Sequence, residues 1–112
     1  MAKIIDPGQL NEKIDIKRQY YRRDDTGSEV EKSKMLLHNV WSKVEDVTGL
    51  EDEESGRIVS VAITKFTVRY YRDLLSDWKN LIVCYGDAEY DVIAVRRIGR
   101  KSYIEMKAVL RE

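Results

Sequence analysis

The chain is poor in the residues that carry covalent and metal chemistry. Its 112 residues include one histidine, one cysteine and one proline, and 20 basic side chains balance 20 acidic ones to a formal net charge of zero. The lone Cys84 excludes an internal disulfide and a zinc site built on thiolates. Its place in the apolar run Leu81–Tyr85 predicts a buried small hydrophobe. His38 has no cysteine or second histidine with which to share a metal, and its neighbours Leu37 and Asn39 make no triad. A solvent-exposed or hydrogen-bonded structural histidine is therefore favoured over a general base. The glycines fall singly and offer no phosphate cradle, and Asp24-Asp25 read as turn formers rather than as a working carboxylate pair. Zero net charge argues against a generic nucleic-acid binder, whose affinity rests on excess Lys and Arg, while leaving local patches open. No apolar run approaches the roughly 20 residues of a membrane helix. The opening Met1–Gly8 is too short, and too soon broken at Pro7-Gly8, for a signal peptide. The composition predicts a soluble protein of a reducing compartment, without catalysis, cofactor, metal, membrane or small-molecule substrate.

What the chain does have is alternation. Its length suits a single domain, 1–112, behind a flexible tail at 1–8. Six runs read as strands: Leu10–Tyr20, Val40–Val47, Thr64–Tyr70, Leu81–Tyr85, Glu89–Val95 and Ser102–Leu110. In the first, Leu10, Ile14 and Ile16 fall on even positions with polar residues between them, one face to the core and one to water. The last alternates as cleanly, with Ile104, Met106, Ala108 and Leu110 inward. The run Leu81–Tyr85 is apolar on both faces and predicts a central strand, paired across Gly86-Asp87-Ala88 with Glu89–Val95 as a hairpin. Arg22–Ser28 reads as a hairpin tip or an open loop. The second strand carries apolar residues of both parities (Val40 and Val44 against Trp41 and Val47), which suits a strand between layers or at a subunit contact. Apolar residues are odd over Val59, Val61 and Ile63 but even over Phe66, Val68 and Tyr70. Such a flip near Thr64 predicts a bulge or a change of element, and a helix or irregular arm is favoured before it. The expected fold is mainly β: a small antiparallel barrel, or barrel-like sandwich, of five to six strands, with a long loop or short helix between the second and third and a projecting arm at 45–63.

Charge is unevenly placed. Glu45, Asp46, Glu51, Asp52, Glu53 and Glu54 put six acids and no base in ten residues, with Gly49 among them. They lack the spacing of a calcium loop, and a loop or short helix starting near Leu50 suits them. Arg96, Arg97, Arg100, Lys101, Lys107 and Arg111 set six cations against Glu105 alone. Opposite patches on a neutral chain suit self-complementary docking, one subunit's basic edge against the next subunit's acidic arm, and a contact of that kind closes into a ring when the rotation permits. Two merely solvated faces would read the same way.

These pieces, in order, resemble the head–tail joining proteins of bacteriophages, the small neck proteins also described as adaptors, head-completion proteins or stoppers. The resemblance rests on Leu10 and Lys13-Ile14 in a first strand, then Asp25-Thr26-Gly27, then Val40-Trp41-Ser42-Lys43-Val44. Gly49 and Glu51, Phe66 through Arg69-Tyr70, Tyr85-Gly86, Tyr90-Asp91-Val92 and Tyr103–Leu110 complete it. Ser42 stands where many relatives have alanine after the tryptophan, and Trp78 where an apolar residue is commoner. The likeness implies a structural β-barrel of the virion neck, made in the bacterial host cytoplasm. It implies a homo-oligomeric ring under the portal that joins portal to tail-side proteins and in some members gates the DNA channel. The arm would then be a subunit contact or face the channel, where its acids would let DNA pass without specific binding. A small barrel binding nucleic acid through the basic last strand and Tyr103 is the alternative.

Overall fold

The computed structural model describes residues 7–23, 25–52 and 58–111, and for 48–52 and 58–61 the backbone pairing. Six antiparallel strands close into a barrel: β1 (Glu12–Arg23), β2 (Glu29–Asp52), β3 (Ile58–Arg69), β4 (Leu81–Tyr85), β5 (Ala88–Ile98) and β6 (Tyr103–Leu110), in the order β1-β2-β3-β6-β5-β4 with β4 returning to β1. All six predicted strands are present, in sequence. No helix among the described residues is long and apolar enough to cross a membrane.

Alternation decides what fills the barrel. Ile14 and Ile16 of β1, Val40 of β2, Phe66 and Val68 of β3, Leu81 and Val83 of β4, Val92 of β5, and Ile104, Met106 and Ala108 of β6 form one buried cluster. The Phe66 ring sits edge-on to Tyr90 at 5.2 Å and to Tyr85 at 6.1 Å, geometries that suit the aromatic quadrupole. Leu10 is buried apart from this core, against Ile98 and Tyr103, after the short 3₁₀ turn Pro7–Gln9. The β3–β4 connector carries two 3₁₀ turns, Arg72–Leu74 and Trp78–Asn80, and inserts Leu74 into the core. Arg18 ties it down, donating from Nη2 to the carbonyls of Asp73 and Ser76 at 2.7 and 2.9 Å.

The mixed parity of β2 has a local cause. Its register against β1 shifts between Ile14 and Ile16 and again between Ile16 and Lys17, each time with an extra residue on β2. Two bulges so close together bend and twist the strand, as closing a small barrel requires. They turn both Leu36 and Leu37 toward the core. The first holds Asn39 at a positive φ of 53°, and the Asp15 carboxylate clamps it by accepting the Asn39 N–H at 2.8 Å.

The region between the second and third predicted strands corrects the sequence reading. Glu45–Asp52 and Ile58–Ile63 are strand, not a loop or helix, and the β2–β3 ladder runs unbroken from Ser42↔Val68 to Asp52↔Ile58, with no bulge at Thr64. Apolar parity flips there because β3 changes neighbours: from Thr64 onward it pairs with β6, and before Thr64 with β2 alone. Inside the barrel the even side chains face the core, and that demand stops where the barrel stops. Likewise β2 pairs with β1 only as far as Ser42. Residues 47–52 and 58–63 thus form a two-stranded ribbon. At its other end β1 also outruns β4, whose pairing with β1 ends at Arg18↔Leu81, so Gln19–Arg23 and Glu29–Ser33 make a second ribbon. The radius of gyration, 15.7 Å, exceeds the roughly 13 Å of a compact chain this long.

Candidate functional site

The side chains with chemical interest lie on the barrel's outer face, where cross-strand register brings together residues far apart in sequence. One row runs Arg96↔Glu105, Glu105↔Thr67, Thr67↔Lys43 across β5, β6, β3 and β2; the next runs Ala94↔Lys107, Lys107↔Lys65, Lys65↔Glu45. Glu105 points out of the barrel, yet it is only 4% exposed, because the long cationic side chains fold over it. Arg96 donates to its Oε2 at 2.8 Å. Burial would push the Glu105 carboxyl up, but the Arg96 hydrogen bond and the fields of Lys65, Arg96 and Lys107 prevail and hold it below the usual carboxylate range. Lys65, Arg96 and Lys107, with the Arg96-bound Glu105 among them, line a surface groove of about 370 Å³ together with Val47, Ala94 and Val95.

The predicted basic patch is therefore divided. Arg96 and Lys107 share the groove. Arg97 and Arg100 are exposed near the β5–β6 turn, with Lys101 at a φ of 59°. Arg111, at the far end of β6, pairs with Glu31 at 2.7 Å and with Asp91 at 3.6 Å. Sequence reasoning missed Lys65 and Lys43, which complete the cationic rows; the signal that finds them is register, not composition. Of the acids, Glu45 lies 3.4 Å from Lys43 and 3.7 Å from Lys65. Asp46 accepts the Thr64 hydroxyl at 3.4 Å, and Glu51 and Asp52 extend the ribbon opposite Val59 and Ile58. Glu53 and Glu54 lie outside the described residues, as do residues 1–6 of the tail.

The resemblance residues fall into clear positions. Ile14 is buried in the core, and Tyr70 and Tyr90 pack against it. Gly27 and Gly86 carry positive φ of 85° and 61° in the hairpin turns. Trp41 is 51% exposed, with the Lys13 ammonium 4.9 Å from its ring centroid. With Leu10, Asn11 and Arg69 it lines a second surface hollow of about 350 Å³.

Cys84 corrects the prediction of a buried hydrophobe. The core takes Leu81 and Val83, and the alternating Cys84 is half-buried on the outer face, its Sγ 3.7 Å from Glu89. Partial burial pushes the thiol up, which disfavours the thiolate needed of a nucleophile. The hydrogen bond between Lys17 and Glu89, at 2.6 Å, raises the lysine and lowers the glutamate. His38 behaves as expected: it is largely exposed, with Nδ1 2.9 Å from the Asp15 carboxylate. Among the described residues no group of three or more His, Cys, Asp or Glu gathers to hold a metal ion.

The fold and its outer face define a small closed antiparallel β-barrel extended by two strand ribbons. Residues 5–111 match the phage head completion proteins, and the chain belongs to that family. No curated protein matches it. It is thus a structural phage protein with a role at the virion head.

Proposed function

We propose that this protein sits in the phage neck as a homo-oligomeric ring between the portal and the tail-side proteins, acting by docking and without a reaction. The observation that carries this reading is the pair of ribbons leaving a closed barrel. A closed barrel has no free sheet edge of its own, whereas both sides of each ribbon offer unpaired backbone groups to other chains. In the ring, DNA passes without specific binding. Gating of the channel belongs to the same proposal. The pairing of Arg96 with Glu105, and of Arg111 with Glu31 and Asp91, weighs against a nucleic-acid-binding barrel, since those cations already have anions.

The test is the mass of the protein alone and mixed with the portal and tail-side proteins of the same genome, by light scattering with negative-stain imaging. A ring, alone or on the portal, is expected. A chain that ignores both proteins but binds DNA with a steep salt dependence would replace this reading with the nucleic-acid one.

A further inference from the structure

We propose that the groove rimmed by Lys65, Arg96 and Lys107 takes the acidic β2–β3 ribbon of a second copy of this chain. The inference rests on the neck-ring reading and names the contact that builds the ring.

Three observations converge on it. Lys65 and Lys107 are direct cross-strand partners, and like charges placed opposite each other destabilise a sheet. Lys65 has Glu45 at 3.7 Å; Lys107 has no ion pair within 4.0 Å among the described residues, and it shares the field of Glu105, the one acid lining the groove, with Lys65 and with Arg96, to which that acid is bound. An anion from outside would relieve that arrangement. The ribbon supplies the complement: Glu51 and Asp52 occupy the last described rungs of its ladder, opposite Val59 and Ile58, and Glu53 and Glu54 follow them in the sequence with no base among the four. The ribbon also needs a partner. Past Ser42 on β2 and before Thr64 on β3, each strand has one unpaired edge, and exposed edges of that length invite another chain.

Donor and acceptor are different patches, so the contact is head-to-tail. Repeated around an axis, such a contact closes into a ring, and each subunit gives one ribbon and receives one. This places the ribbon acids between subunits rather than in the channel.

The experiment uses full-length chains assembled alone and on the portal, scored by light scattering and negative stain, with circular dichroism to confirm folding. Lys107→Glu alters the acceptor, and Glu51→Lys with Asp52→Lys alters the donor. Each is expected to weaken ring formation about tenfold or more, since like charges in contact oppose docking, and all three changes in one chain are expected to restore it. If Lys107→Glu does not fold, Lys65→Gln takes its place and is expected to weaken the ring less. Rings that form equally well with every variant overturn the inference and leave the ribbon to the channel. Donor and acceptor changes that each weaken the ring but fail to rescue one another also overturn it. A wild-type chain that forms no ring even on the portal refutes the neck-ring reading itself, and the inference falls with it.

Discussion

Removing the buried carboxylate of Glu105 is the sharpest test of how this barrel balances its outer charges. Glu105→Ala deletes one charge-assisted hydrogen bond, from Arg96 at 2.8 Å, and leaves Lys65, Arg96 and Lys107 without the anion between them. Hydrogen bonds to charged groups contribute about 1.5–3 kcal/mol. The arginine end of this pair is 67% exposed and screened by water, so the lower half of that range applies, about 2 kcal/mol. In a domain of this size that lowers Tm by roughly 10 °C. Arg96→Ala is expected to cost less, about 1 kcal/mol, because Glu105 keeps the fields of two lysines. Urea unfolding at pH 7 and low salt measures both. The pH dependence follows from the folded carboxyl lying below its unfolded value of about 4.3. As pH falls, the unfolded chain takes up the proton first. The contribution of Glu105 is therefore whole above about pH 5 and drains away as pH drops through the folded value. Glu105→Gln should flatten that part of the acid limb. An alanine variant that loses less than about 0.5 kcal/mol, or one less destabilised than Arg96→Ala, would refute the reasoning.

Other perturbations act through different physics. Phe66→Ala removes a fully buried ring and its two edge-on contacts and should cost about 3–5 kcal/mol in urea unfolding; under 2 would mean that the barrel collapses onto the cavity. Gly86 precedes Asp87 in the two-residue turn between Tyr85 and Ala88, at a φ of 61°. Gly86→Val should lose about 1–2 kcal/mol, although nothing crowds the site; a neutral result would show that the turn relaxes. Arg18→Ala removes both hydrogen bonds to the connector, so amide exchange should speed up over residues 71–80 and stay unchanged in β6. Equal acceleration in both places would mean that Arg18 supports the whole barrel.

Much of this fold was legible in the sequence because strand alternation is a local signal. The parity of Ile14 and Ile16, and of Ile104, Met106 and Ala108, reported directly which face meets the core. The β4–β5 turn was equally readable from Gly86-Asp87. What failed was inference from charge. Six acids between Glu45 and Glu54 suggested a loop or helix, yet part of that run lies in a ladder in which Glu45 faces Lys65 and Asp46 faces Thr64. Beyond the end of β6 the ribbon pairs with no third strand, and no barrel interior imposes alternation. The parity flip at Thr64 was real, but it marks where β6 stops rather than a fault in the strand. The spatial layout of the basic residues was hidden for a related reason. Closeness along β5 and β6 suggested one cluster, whereas the register puts Lys65 beside Lys107 and sends Arg111 to Glu31.

The strand order β1-β2-β3-β6-β5-β4 also says how the chain reaches its native state. Each half, β1 to β3 and β4 to β6, is a meander stitched by hairpins between sequence neighbours. The halves meet along two seams, β3–β6 and β1–β4, whose partners lie dozens of residues apart. Hairpins close in microseconds, whereas contacts at such separations slow folding toward milliseconds and beyond. Two preformed halves swinging together about the connector at residues 71–80 would be the slow step. A chain cut within that connector should then yield two fragments that find each other and rebuild the barrel.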